Sequence, residues 1–537
     1  MSHVCAQSLP HRFRHRAMAA GVLLALLSLS ACRTYRVDSV VDAPDANPGD
    51  HVCARAVAPG SEAGSPGGLC TLRAAVMESN ASVWRDTIEV PAGLYRLTIP
   101  LNAGGGGLHI TDGVKIQGAG AAGTIIDGNR LDSVIYVDHE GLELNHVTVQ
   151  GGLQQFGGGL RLNAGTSELS NLILRDNEAF TGGGGLLVAD GAVGKLRRST
   201  VTENHAVGAF GGGIQNKGEL WVYDTTISGN ESNRAGGIRN EGQLNLRNVT
   251  ISGNVASSPE AGTGGISQNG FAVLNNVTIT DNTGVGNNAA SFRGGGIQVV
   301  AGKTTVVKNS IIAGNHGGIG PNDCDGSLSG DSKYNLIGDT NGCTIPLYVS
   351  TFVLNADPQL GALAANGGPT TTHMPTAASP AIEVAYQFPP PAVDACEAMD
   401  QRGVPRPQGN GHCDMGAAER TSLNVFITGF MLVDAATNTD LIPLLHGDRL
   451  VLSSLPAQLS IRAVVSGAAG SVRFCYDSTP AIQTENVAPY ALAGDTAGDY
   501  MPFSFNKGTH TVTATPFASS GGAGAAGGSL SISIVVE

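Results

Sequence analysis

The chain has 537 residues, enough for two or three domains with a sizeable core, and 76 of them are glycine while only 14% are charged. Net charge is −13, or −16 once residues 1–31 with Arg12, Arg14 and Arg16 are removed, which gives no electrostatic basis for binding nucleic acid. The glycines punctuate strand-like stretches at regular intervals, and that excludes a disordered low-complexity chain.

At the amino end, Arg12, Arg14 and Arg16 precede an apolar run over residues 18–29. The run is too short to cross a bilayer as a helix, so residues 1–31 read as an export signal. Leu29-Ser30-Ala31-Cys32 resembles the lipobox of bacterial lipoproteins. The resemblance implies acylation of Cys32 as the first mature residue. Arg33 behind it implies sorting to the outer membrane, with the acyl chain as the membrane partner and display on the cell surface or the periplasmic face. An ordinary signal peptide with a chance cysteine is the alternative.

Six further cysteines fall into sequence-local pairs, Cys53 with Cys70, Cys324 with Cys343 and Cys396 with Cys413. In an exported chain each bridge would contribute about 3 kcal/mol by restricting the unfolded ensemble. No CxxC pair or CxxH cluster supports the rival metal-binding reading. Cys475 is left over and is expected as a buried strand residue.

Residues 32–85 form an amino-terminal unit. Leu72, Ala75 and Val76 stand at helical spacing and predict a short amphipathic helix able to lid an open solenoid end. The phrases DANPGDHVC, CTLRAAVMESNA and DTIEVPAGLYRLT resemble the Cys-Ser-Leu-Arg-Glu-Ala domain that precedes parallel β-helices in bacterial surface proteins. Thr71 and Ala74 depart from that pattern, standing where it has Ser and Glu.

Residues 86–420 carry the repeat. Gly-Gly pairs stand before Leu160, Leu186, Ile214, Ile238, Ile266 and Ile297, at intervals of 26, 28, 24, 28 and 31. Each unit closes on a β-branched segment ending in Asn177, Asn204, Asn230, Asn254, Asn282 or Asn315. A period of this length is one turn of a solenoid, and alternation such as Val249 and Ile251 against Thr250 and Ser252 makes the units strands. Leu-spaced phrases with a helical return are absent, so a leucine-rich repeat fits less well than an all-β right-handed single-stranded parallel β-helix. The paired glycines are expected to supply positive-φ corners and close backbone approach, and the asparagines to occupy left-handed corners and form an amide ladder. About a dozen rungs, roughly 60 Å of rod, are expected at the sheet spacing.

Within the upper part, at about residues 309–420, the phrases NSIIAGN, ADPQLGALAANGGPTTTHMPTAASPAIEVA and DQRGVPRPQGNGHCDMGAAE resemble the carboxy-terminal choice-of-anchor module of such proteins. Residues 421–537 change character. Six strand-like stretches at short intervals predict an immunoglobulin-like β-sandwich, expected to sit distally, and residues 483–500 resemble a phrase of bacterial Ig-like modules.

Signatures of acidic-polysaccharide degradation are absent: there is no Asp-Asp, Gly-His-Gly or Arg-x-Lys, and no catalytic residue is assigned. Asp127, Asp132, Asp138 and Glu140 are a candidate Ca²⁺ group set against solvated turn carboxylates. Asp323, Asp325 and Asp331 superficially resemble a Ca²⁺ loop without its terminal Glu. No other cofactor is implied. His205, His316, His373 and His412 share no spacing and are expected at the surface or in turns. Trp221 and Tyr223, at i and i+2 of one strand, form a glycan platform if they face outward and are core if inward, with core favoured. Phe156, Phe180 and Phe210 are expected to pack as a stack along the loops. Together these features predict adhesion or binding of a polysaccharide or cell-surface ligand; polysaccharide cleavage (lyase or glycoside hydrolase) and a purely structural envelope role are the alternatives.

Overall fold

The computed structural model describes residues 32–55, 69–139, 141–208, 210–258, 262–285, 294–318, 323–346, 351–385, 395–406, 412–420, 425–477 and 479–537. The leader read from residues 1–31 and the candidate ligand Glu140 lie outside them.

Most strands of the solenoid are two to five residues long and bury too little surface to stand alone, so their aliphatic side chains must stack rung on rung. They do so in three parallel sheets of eighteen, ten and six strands that close an all-β solenoid. In the ten-stranded sheet Leu160, Leu186, Ile214, Ile238, Ile266 and Ile297 lie directly above one another, all fully buried. Leu196, Val222, Leu246 and Leu274 form a second inward column and Val201, Ile227, Ile251 and Ile279 a third, in one continuous core. The ten strands from Leu108–Ile110 to Cys343–Thr344 make about nine turns, a rise of roughly 43 Å at the sheet spacing.

The eighteen-stranded sheet carries the stack through eleven levels, from Asp86–Val90 to Val353–Leu354, after which the chain leaves the coil and returns along the outside. Met399 O accepts from Asn248 at 2.9 Å, Gln401 binds Thr250 at 2.7 Å and Thr226 at 2.9 Å, and Ala417 N donates to Thr278 at 2.9 Å. Thr226, Thr250 and Thr278 point away from the core, yet this returning segment buries them almost completely.

The corners differ from expectation in one respect. The six asparagines are buried inside the bend, and the left-handed residue is the one before each: Asp176, Glu203, Gly229, Gly253, Asp281 and Gly314. Freed from that role, each amide bridges coils. Asn177 donates to Asn204 at 3.0 Å, and the chain runs through Asn230, Asn254 and Asn282 to Asn315 with links of 2.8–2.9 Å. Asp323, an acceptor-only residue, ends the ladder by taking the Asn315 amide at 2.8 Å. The Gly-Gly pairs serve close approach: a Cβ on Gly184 would stand 2.4 Å from Gly212 O, one coil on. Positive φ belongs to the preceding glycine where there is one, as at Gly157, Gly183 and Gly211.

The helix Leu72–Asn80 is capped by Thr71, whose hydroxyl accepts the Ala74 N–H at 3.1 Å. Leu72, Ala75 and Val76 join the solenoid core. Disulfides join Cys53 to Cys70, Cys324 to Cys343 and Cys396 to Cys413. Cys475 is half-buried on the strand Ser471–Tyr476, more exposed than expected.

The last part of the chain forms a three-stranded and a six-stranded sheet sharing one core, with Phe430, Leu432 and Ile461 facing Phe474, Val512 and Ile534. This unit is not distal. The returning segment delivers it beside the lower coils, where Asn171 donates to His446 O at 3.3 Å and Arg449 pairs with Glu89 at 3.3 Å.

At that contact His146 is buried, its Nδ1 accepting from Gln117 at 2.9 Å and its Nε2 donating to His446 O. Burial pushes the His146 pKa down to about 4, and that of His446 likewise to about 4. Asp448, 3.9 Å from His146 Nε2, is pushed up by burial to about 7. A histidine depressed below its unfolded value of 6.5 loses stability as pH falls from 6.5 toward 4. The raised Asp448 works oppositely, taking up its proton in the folded state. With two histidines against one carboxyl, acidification from pH 7 to 5 is expected to loosen the contact. The His146 share is about 2 kcal/mol at pH 5. Thermal unfolding across pH checks this: His146→Gln should flatten the acid limb, and an unchanged limb would refute the assignment.

Candidate functional site

Two outward faces of the solenoid collect chemistry, one on the eighteen-stranded sheet and one at the low end of the ten-stranded sheet. On the strand Glu219–Ser228, Leu220 and Val222 point inward and are fully buried, which turns Glu219, Trp221 and Tyr223 outward. Trp221 and Tyr223 are therefore not core, contrary to the weighting from sequence. Their rings are near parallel, 6° apart with centroids 6.3 Å apart. Trp221 Nε1 donates to Glu219 Oε1 at 2.5 Å, and the Arg197 guanidinium lies 4.0 Å from the Tyr223 centroid. The coil below places Lys195 opposite Trp221, held by Glu168 at 2.7 Å, and the coil above places Asn245 and Arg247 opposite the pair. The face is thus a fixed aromatic shelf between rows of hydrogen-bonding groups.

The second face is a recess of about 250 Å³. The three-residue strands Leu108–Ile110, Ile135–Val137 and Leu160–Leu162 each send two residues inward and one outward. In register, the outward ones are His109, Tyr136 and Arg161. His109 lies 5.0 Å from the Tyr136 ring and Arg161 4.9 Å from it on the next coil. Asn163 ties the group together, accepting from Arg161 Nε at 3.0 Å and donating to Tyr136 Oη at 2.6 Å and Asp138 Oδ1 at 3.1 Å. Burial pushes the Asp138 carboxyl up, but hydrogen bonds from Asn163 and His109 outweigh it and leave the group below the usual carboxylate range. Across the recess Asp132 Oδ1 accepts from Ser133 N at 2.7 Å and Gln154 Nε2 at 2.6 Å.

The lip of the recess is the glycine run around Gly105 and Gly107. A Cβ on Gly107 would stand 1.8 Å from Ser133 O, so only glycine lets the turn lie so close. Arg73 fixes this turn from the helix, donating to Gly106 O at 2.8 Å and Gly107 O at 3.1 Å while paired with the buried Asp42 at 2.6 Å. Arg73 thus braces the lip of the recess from the helix, a link invisible in the sequence.

The other candidates separate. Asp127 pairs with Arg96 at 3.2 Å and caps Asn129 N at 2.8 Å, whereas Asp132 and Asp138 flank the recess. Asp323 points into the ladder while Asp331 is exposed, so the suggested Ca²⁺ loop is not assembled. Among the described residues, carboxylates gather within 4.8 Å only at Asp45, Asp50 and Glu78. There Glu78 is already occupied by the N–H groups of Gly49 and His51 at 2.9 and 3.0 Å. His205 is half-buried, and His316 and His412 are exposed. His373 is buried, against expectation, because the returning segment presses it onto Ser252 at 2.8 Å. Phe156 and Phe210 each meet a cation, Lys217 at 5.5 Å and Arg239 at 5.0 Å, and Gly182 stands between them, so no phenylalanine stack forms. Phe180 is exposed.

Residues 112–345 match the family model described as right handed beta helix region, which supplies the handedness of the coil. A crystal structure of pectate lyase Pel9A superposes with a TM-score of 0.40 at 15% identity, over 73% of this chain and 98% of that one. No curated protein sequence matches the chain.

Proposed function

We propose that this right-handed β-helix protein is a glycan-binding component of the cell envelope, exported and held at the outer membrane through acylated Cys32. In this reading the helix Leu72–Asn80 caps the lower end, residues 309–420 act as the choice-of-anchor-type closure, and residues 421–537 are an Ig-like module braced against the rod. The outward Trp221 and Tyr223 carry the proposal. Trp221, with Tyr223 on the side that Arg197 leaves uncovered, presents apolar ring surface on a rigid strand to a sugar without ordering a loop on binding. Lys195, Asn245 and Arg247 on the flanking coils offer hydrogen bonds to its hydroxyl groups.

A glycan array with the mature soluble chain, followed by calorimetry on the best polymer, tests this. Trp221→Ala with Tyr223→Ala is expected to weaken binding tenfold or more without changing the unfolding midpoint. Equal affinity of wild type and double variant would overturn the assignment. Release of reducing or unsaturated ends from the bound polymer would replace binding with cleavage.

A further inference from the structure

The recess beside His109 lies on a different sheet from the aromatic shelf and has its own chemistry. Arg161 is held on two sides: its guanidinium rests on Tyr136 at 4.9 Å, and Nε is committed to Asn163 at 3.0 Å. Nη1 and Nη2 have no hydrogen-bond partner among the described residues, and Arg161 lines the recess. Asp132 complements it. Gln154 and Ser133 saturate one oxygen, while Oδ2 has only the weak approach of Gly107 N at 3.4 Å. A planar cation with free donors and a carboxylate with a free acceptor thus line one opening, both locked in orientation before any ligand arrives.

We infer that the recess is a second binding site, for a single hexopyranose unit recognised through adjacent hydroxyl groups. A vicinal diol both donates and accepts, so it can accept from Arg161 while donating to Asp132, and both bonds are charge-assisted. The volume of about 250 Å³ lies below the ~300–1,000 Å³ typical of drug-sized pockets and suits one ring. A chain interior would need an opening at both ends, whereas the glycine turn held by Arg73 walls one side. The occupant is therefore a terminal or branch sugar. An acidic sugar fits less well, because the Asp132 carboxylate lines the recess beside its single arginine. The inference deepens the glycan-binding reading but rests on other residues.

Saturation-transfer NMR with the methyl glycosides of glucose, galactose and mannose tests it on the full mature chain. At least one is expected to bind in the Trp221→Ala, Tyr223→Ala background, where the shelf cannot contribute, with Arg161→Met and the near-isosteric Asp132→Asn each weakening that binding tenfold or more. No binding by any of the three would overturn the inference, as would binding indifferent to Arg161 and Asp132. Loss in the Trp221, Tyr223 variant alone would assign the sugar to the shelf and refute the recess while sparing the broader proposal. Polymer binding that survives that variant, together with glycoside binding lost in Arg161→Met, would do the reverse.

Discussion

Arg402→Met is expected to cost about 3–5 kcal/mol, because it strands a buried carboxylate. Arg402 and Asp400 are joined at 2.7 Å with side chains 1% and 0% exposed. Arg402 also donates to Asn366 O at 3.2 Å and to Glu419 O, while Asp400 accepts the N–H groups of Arg402, Val404 and Glu419 at 2.8–2.9 Å. Next to them Arg406 pairs with fully buried Glu419 at 2.8 Å. Methionine would fill the volume but leave the Asp400 charge uncompensated. Asp400→Asn should be comparably costly, since it leaves the buried Arg402 guanidinium without its counter-ion and turns an amide N–H toward groups that donate. Hydrogen exchange should show where the energy sits: amides of the returning segment lose protection first, followed by the contact at His446. Loss spread evenly along the coils would refute this local staple, and denaturant midpoints give the magnitude.

The second large effect is expected from Asn254→Ala, in the middle of the amide ladder. Asn254 donates to Asn282 Oδ1 at 2.8 Å and to Ile227 O at 2.9 Å, and accepts from Asn230 N and Nδ2 at 3.0 and 2.9 Å. Alanine leaves a cavity at a fully buried corner and unpaired groups on both neighbouring coils, at about 1–3 kcal/mol per orphaned group. A total of about 3 kcal/mol follows if water repairs part of the loss. Asn254→Asp should be no better, since an acceptor would then face the Asn282 acceptor. At the ladder's end, where Asp323 already accepts on both oxygens, the carboxylate is at home. A Asn254→Ala protein with an unchanged denaturation midpoint would show that the ladder adds nothing beyond the aliphatic stack.

Much of the fold was legible because a solenoid is nearly one-dimensional: each coil meets only its neighbours, so periodicity in sequence becomes periodicity in space. That is why the Leu160-to-Ile297 column and the ladder residues could be named from spacing, while the left-handed duty of the asparagines was misplaced by one position. Nothing local distinguishes Asp176 from Asn177 as the residue that turns. The recess had only a faint signal, the middle residue of each inward-outward-inward triplet. His109, Tyr136 and Arg161 share neither type nor charge, and only register makes them one group.

From the chain alone came the coil, its inward columns, the local cysteine pairs and the strand carrying Trp221 and Tyr223, since all of these depend on neighbours in sequence or on a fixed period. Tertiary structure decided which way that strand turned its aromatics, how Thr371, Gln401 and Ala417 cover the outward threonines, and where the last module rests. The last two depend on contacts across a hundred residues or more, for which no repeat sets the register, while the facing of the aromatics follows from which column, Leu220 with Val222, turns inward.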